Sequence, residues 1–162
     1  TTGALSAPAT TADSGGAPAT AIALSPSGEF AYVTYIHATS TPVSNTYWDT
    51  VETFSVDGTT GQLTGPIGSA ATGDSPWAIA VTPGGHFAYV ASLSNQGSVN
   101  ELSTYSINSS GVAVLQSSAA VQFQPSSLAM DPEGRFLICG QTATVQQPEP
   151  SGVQDQRRER RA

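Results

Sequence analysis

Apolar residues alternate with small or polar ones in short bursts, and the bursts recur with the same wording. Ala21-Ile-Ala-Leu-Ser-Pro-Ser-Gly-Glu-Phe-Ala-Tyr-Val33 is followed by Ala78-Ile-Ala-Val-Thr-Pro-Gly-Gly-His-Phe-Ala-Tyr-Val90 and then by Ser127-Leu-Ala-Met-Asp-Pro-Glu-Gly-Arg-Phe-Leu-Ile-Cys139. A two-residue period predicts strands, and the Pro-x-Gly step between two such runs supplies a fixed φ and then a permissive residue, so each copy predicts a β-hairpin. Third strands are predicted at Thr50–Val56 and 100–107, each closed by a polar turn, Asp57-Gly-Thr-Thr-Gly61 or Asn108-Ser-Ser-Gly111. Weaker fourth strands begin near Gln62-Leu63 and Val112, and each runs toward a proline, Pro76 or Pro125, that precedes the next hairpin.

Four antiparallel strands per unit follow, with the hairpin prolines Pro26, Pro83 and Pro132 spaced 57 and 49 residues apart. Units of roughly 40 to 50 residues with four strands predict the blades of a β-propeller, whereas a β-helix uses shorter coils. The opening Thr1-Thr-Gly-Ala-Leu5 matches Thr59-Thr-Gly-Gln-Leu63, so the chain is expected to start inside a blade. The expected organisation is an outer strand and link over 1–19, a blade over 20–76, a second over 77–125, a partial blade over 126–145 and a disordered tail over 146–162. The fold class is all-β, a propeller fragment of about three four-stranded antiparallel blades.

Composition narrows the function classes. The chain has 16 Gly, 11 Pro, 10% charged residues and a net charge of −7. Lys is absent, and four of the five Arg lie in the last six positions, so up to Pro150 ten acidic groups face Arg135 alone. Nucleic acid is therefore not an expected partner. No apolar stretch exceeds strand length, and neither a membrane span nor a signal peptide is read from the sequence. The single Cys139 excludes an internal disulfide and a Cys-pair zinc site, and is expected to pack on its strand as a small apolar residue. No His-x-x-x-His or acidic calcium loop is present, so neither metal nor other cofactor is expected.

The hairpin motifs Pro26-Ser-Gly-Glu-Phe-Ala-Tyr-Val33 and Pro83-Gly-Gly-His-Phe-Ala-Tyr-Val90, with the more degenerate Pro132-Glu-Gly-Arg-Phe-Leu-Ile-Cys139, resemble bacterial lactonase-type seven-bladed β-propellers. That group includes the propeller form of 6-phosphogluconolactonase and is related to the YVTN surface-layer repeats. The resemblance also takes in Val51-Glu-Thr-Phe-Ser-Val56 and Gly61-Gln-Leu63, and covers roughly residues 1 to 145. It implies hydrolysis of a sugar-type lactone by water attack on the ester carbonyl, and a periplasmic or extracellular location. Relatives that only bind or build surfaces keep open a second class, a noncatalytic propeller scaffold. No catalytic motif of the family matches here, because the shared residues are those of strands and turns.

Blade topology places the Pro-x-Gly turns, with Glu29, His86 and Arg135, on one rim, where they read as ordinary variable turn residues. The opposite rim receives the long connection 37–49 and the link Gly73-Asp-Ser-Pro-Trp77. His37 is the candidate base for water, and Tyr47, Trp48, Asp49, Asp74 and Trp77 are candidate substrate-binding residues, the two tryptophans stacking on a sugar face. A cation-poor surface suits a neutral sugar lactone better than a phosphorylated one. Three blades leave sheet edges and apolar faces uncovered, so remaining blades or a second copy are expected to close the ring.

Overall fold

The computed structural model describes residues 16–36, 49–93 and 99–141. They form ten strands: β1 (Ala19–Leu24), β2 (Phe30–Tyr35), β3 (Thr50–Val56), β4 (Leu63–Ala71), β5 (Pro76–Val81), β6 (Phe87–Ser92), β7 (Glu101–Ile107), β8 (Ala113–Ala120), β9 (Pro125–Met130) and β10 (Leu137–Gln141). Strands β1-β2-β3-β4 and β5-β6-β7-β8 make two four-stranded sheets in which sequence order is spatial order, and β9 pairs with β10. Every pairing is antiparallel. Strand β1 lies against β5 and β5 against β9, while the outer strands β4 and β8 touch more sparsely. The sheets therefore converge on their first strands, as propeller blades do. The expectations for residues 1–15, 37–48 and 142–162, which include the opening strand, His37, Tyr47, Trp48 and the basic tail, lie outside the described residues.

The hairpin turns are built alike. The residue before each proline has a side-chain oxygen, and that oxygen accepts the N–H of the phenylalanine five residues on. Ser25 Oγ takes Phe30 N at 3.0 Å, Thr82 Oγ1 takes Phe87 N at 3.1 Å and Asp131 Oδ1 takes Phe136 N at 2.6 Å. The variable Ser, Thr or Asp at this position thus does one job. The glycine of each later turn also meets the proline of the turn before it: a Cβ on Gly85 would lie 3.4 Å from Pro26 Cδ, and one on Gly134 would lie 3.2 Å from Pro83 Cδ. Both glycines have positive φ, 69° and 70°, so turn geometry and close approach select the same residue.

Each sheet uses both faces. On the first, Tyr32 and Val51 are buried against Ile79, Ala88, Val90, Tyr105 and Ala113 of the second. Two tyrosine hydroxyls cross this interface in opposite directions. Tyr32 Oη donates to Gly111 O at 2.9 Å, and Tyr105 Oη donates to Ala71 O at 2.7 Å. Burial pushes both phenols above their ordinary pKa, which keeps them protonated as donors. The other face of the first sheet carries a separate cluster of Ala31, Val33, Tyr35 and Phe54.

Repeat-equivalent positions show what neighbouring sheets contribute. Ile79 is 8% exposed on the face of β5 that meets the first sheet, whereas its counterpart Ile22 on β1 is 59% exposed. At the other end, Phe136 and Ile138 are 62% and 61% exposed, although Tyr32, the counterpart of Ile138, is fully buried. Cys139 is half-buried rather than buried, since β10 is paired only with β9 among the described residues. Burial nevertheless raises its thiol pKa, which favours the unreactive protonated form.

Two predictions follow from these contacts. Tyr32→Phe and Tyr105→Phe should each lower the free energy of unfolding by about 1 kcal/mol, the net worth of one hydrogen bond, measured by equilibrium urea denaturation. The second concerns acid. Asp57 Oδ1 accepts from Thr60 N, Thr60 Oγ1 and Thr59 N, and these bonds hold its pKa below the ordinary aspartate value. Asp131 is lowered likewise, first by the Phe136 N–H. A depressed folded-state pKa stabilises above the unfolded value and is lost as pH falls through the folded one, so stability should decline below about pH 4. Asp57→Asn keeps the acceptor oxygen without the titration, and its urea midpoint should fall less steeply with acid.

Candidate functional site

The link between the first two sheets shapes the rim on which the sequence places its site. Asp49 stands immediately before β3 and is 5% exposed. Its carboxylate Oδ2 accepts the Ser75 N–H at 2.5 Å, and its backbone carbonyl accepts Thr72 N at 2.9 Å. Ser75 has a positive φ of 46°, a left-handed conformation uncommon outside glycine, and its carbonyl accepts Leu93 N at 3.1 Å. The Asp49 carboxylate and the end of β6 therefore grip Ser75 from both sides. Gly73 in the same link lies under the Glu101 side chain, whose carboxylate end would have to shift to admit a Cβ there.

Two residues beyond Ser75, Trp77 sits on a β-bulge. The pairing of β5 with β6 slips between Pro76 and Ala78, and the same slip occurs between Ala19 and Ala21 of β1 and opposite Gly140 and Gln141 in the β9–β10 pair. Each first strand thus carries an extra residue near its start, at Thr20, Trp77 and Ser126. A bulge re-aims the side chain it carries. Pro76 beside it is fully buried, while Trp77 is 51% exposed, a large apolar ring held out on an innermost strand. Asp74 is half-buried in the link that leads to it.

Of the sequence-derived candidates, Asp49, Asp74 and Trp77 fall within the described residues, and the Asp49–Ser75 bond brings the link carrying Asp74 and Trp77 to the start of β3. His37, Tyr47 and Trp48 lie outside them. Among the described residues, no group of three or more His, Cys, Asp and Glu side chains comes together as a metal ligand set, and no helix is long and apolar enough to cross a membrane, which says nothing of a β-barrel.

The opposite rim holds a feature that the sequence pattern does not reveal. A cavity of about 400 Å³ opens there between the first two sheets, lined by the turns at Ser25–Ser27 and Gly84–His86 and by Ile107, Asn108, Ser109 and Gly111, over Phe30 and Tyr32. His86, an ordinary turn residue by pattern, is on its wall. The signal that was available is the Gly-Gly pair at 84–85, where the other copies have Ser27-Gly28 and Glu133-Gly134. Arg135 is on the same rim but is engaged by Asp131 and Glu133 and lies over the Phe136 ring.

The grip on Ser75 predicts a graded response. Asp49→Ala should cost about 1–3 kcal/mol in urea unfolding, because a buried N–H loses its acceptor. Asp49→Asn, which retains a carbonyl oxygen and has a natural counterpart in Asn100 before β7, should cost less than half of that.

Comparison with known proteins agrees with this architecture at the level of fold. No protein-family model and no curated protein matches the chain. Among solved structures, a periplasmic gluconolactonase of Pseudomonas aeruginosa is similar with a TM-score of 0.63 and 15% identity over 75% of this chain. A functionally unknown protein of Desulfotomaculum acetoxidans is similar with a TM-score of 0.51 and 16% identity over 76% of this chain. The chain spans 36% of the length of the first and 49% of the second. The polypeptide thus shares a β-propeller architecture with these structures, and at these identities the likeness is one of fold alone.

Proposed function

We propose that this chain supplies blades and part of the substrate mouth of a lactonase-like propeller hydrolase acting on a neutral sugar-type lactone. The observation that carries this reading is Trp77, half-exposed on the bulge of an inner strand and three residues beyond Asp74. An exposed indole offers a flat apolar face to the C–H side of a sugar ring, and Asp74 offers hydroxyl-binding oxygens. Asp49 acts one step back, holding the link through Ser75 N.

The reaction needs a base to take a proton from water as its oxygen attacks the lactone carbonyl. His37 is assigned that role. The tetrahedral oxyanion then collapses, the ring C–O bond breaks, and the leaving alkoxide takes back a proton to give the open hydroxy acid. Tyr47 and Trp48, in the same connection as His37, are assigned to the substrate. The net charge of −7, with no Lys, supports a neutral lactone over a phosphorylated one. The fold shared with a protein named as a periplasmic gluconolactonase supports the reaction class, and a location outside the cytosol is part of the same proposal.

A second reading, a noncatalytic binding propeller, is favoured by one observation. The charged side chains described on this rim are carboxylates, and the described arginine is on the other.

Proton release from glucono-δ-lactone in a pH-stat, corrected for spontaneous hydrolysis, tests the proposal. Turnover should fall by about a hundredfold or more in His37→Gln, the usual scale for losing a general base. Trp77→Ala should raise KM with little change in kcat, and Asp49→Asn should keep most activity. Wild-type rates in both His37→Gln and Trp77→Ala would overturn the assignment, and saturable binding without turnover would leave the binding propeller.

A further inference from the structure

We infer that the cavity between the hairpin turns of the first two sheets is a second ligand site, one that takes a single neutral polyhydroxylated ring such as a pyranose. It lies on the rim opposite Trp77 and is independent of the hydrolase reading.

The cavity, at about 400 Å³, falls within the roughly 300–1,000 Å³ of small-molecule pockets, near the lower end. Its walls join apolar surface to polar groups. Phe30 is half-buried against Gly111, where a Cβ would lie 2.4 Å from the ring's Cζ, so the missing side chain leaves room for the phenyl group. Pro26 also lines the cavity, giving a second apolar surface.

The polar groups divide into two sets. Ser25 Oγ and Ser27 Oγ are engaged with each other and with the N–H groups of Phe30 and Glu29. Asn108 Oδ1 accepts from Ser110 N at 2.9 Å and Val112 N at 3.0 Å, which fixes the carboxamide orientation and leaves its NH₂ as a donor. The His86 imidazole and the Ser109 hydroxyl line the same space, exposed and outside the turn's own hydrogen bonds. Donors and acceptors around an aromatic wall suit hydroxyl groups carried on a ring whose C–H face is apolar.

Charge narrows the ligand further. Among the described residues, no Asp, Glu, Lys or Arg lines the cavity, and His86 is its one titratable side chain apart from the buried Tyr32. An anion finds no fixed cation there and a cation no carboxylate, so the fitting ligand is neutral. Gly84, on the cavity wall, stands where the first copy has Ser27 and the third Glu133.

The test is a two-dimensional amide NMR titration of the full chain with methyl β-D-glucopyranoside, with glycerol and sodium gluconate run in parallel. Saturable shifts centred on Gly84, Gly85, His86, Ser109 and Gly111 are expected with the glycoside, with weaker responses to the other two. Gly84→Leu should weaken the interaction by about tenfold or more, equivalent to ~1.4 kcal/mol. Its added Cβ would lie 3.1 Å from the exposed His86 ring, which can turn away, so the fold should be retained. His86→Ala provides a second variant and should also weaken binding. Absence of saturable shifts, shifts centred on Trp77, an equal response to glycerol, a response only to gluconate, or undiminished binding by a folded Gly84→Leu would each overturn the inference.

Discussion

A blade of this kind has apolar residues on both faces, and a neighbouring blade is the regular means of covering them. The pairing of one sheet's face with the opposite face of the next is the constraint on which the rest of the structure depends. It is met most fully between the first two sheets, where aliphatic side chains interlock and Tyr32 and Tyr105 each donate a hydrogen bond to the other sheet. The exchange fixes spacing as well as contact, since each hydroxyl reaches a backbone carbonyl at a defined height on the neighbouring sheet. On the side that lacks a described sheet, Ile22 at the inner strand is exposed where Ile79 is buried, while its pairing partner Val33 is covered within the cluster of Ala31, Tyr35 and Phe54.

Both candidate surfaces are consequences of that packing. At one rim, convergence of the first strands brings their bulges into line, and the Asp49 grip on Ser75 sets the path of the chain into Trp77. At the other, the same convergence stacks the Pro-x-Gly turns, and a cavity walled in part by Gly84 and His86 opens between them. Neither surface could be kept by a single blade, because each draws residues from two.

Much of the scaffold was legible because it is local. The Ala-Ile-Ala-Leu and Phe-Ala-Tyr-Val runs specify alternating strands, the Pro-x-Gly step specifies the turn between them, and the third strand at Thr50–Val56 has the limits that its pattern predicts. The assignment of Glu29, His86 and Arg135 to one rim also follows from strand order. Other features depended on distance in space. Asp49 reads as a rim carboxylate in sequence, yet its oxygen meets an N–H 26 residues away. An alignment of Asp49 with Asn100 carries a hint of that, since an acid and an amide share the acceptor oxygen. The cavity brings Ser25 together with Gly111, and no local pattern spans that interval. Cys139 is less buried than its strand position suggests because burial belongs to the pair of sheets rather than to the strand.

The most direct test of the central claim, that stability comes from sheet faces covered by neighbouring sheets, is amide hydrogen exchange resolved to individual strands. Exchange reports the free energy of local opening, so protection should follow the number of covered faces. Strands β5 and β6, which contact sheets on both sides, should exchange slowest, and β9 and β10, with the exposed Phe136 and Ile138 beside them, fastest among the strands. Equal protection of β9–β10 and β5–β6 would contradict the account, because it would mean that each sheet is stable by its own hydrogen bonds and owes little to its neighbours.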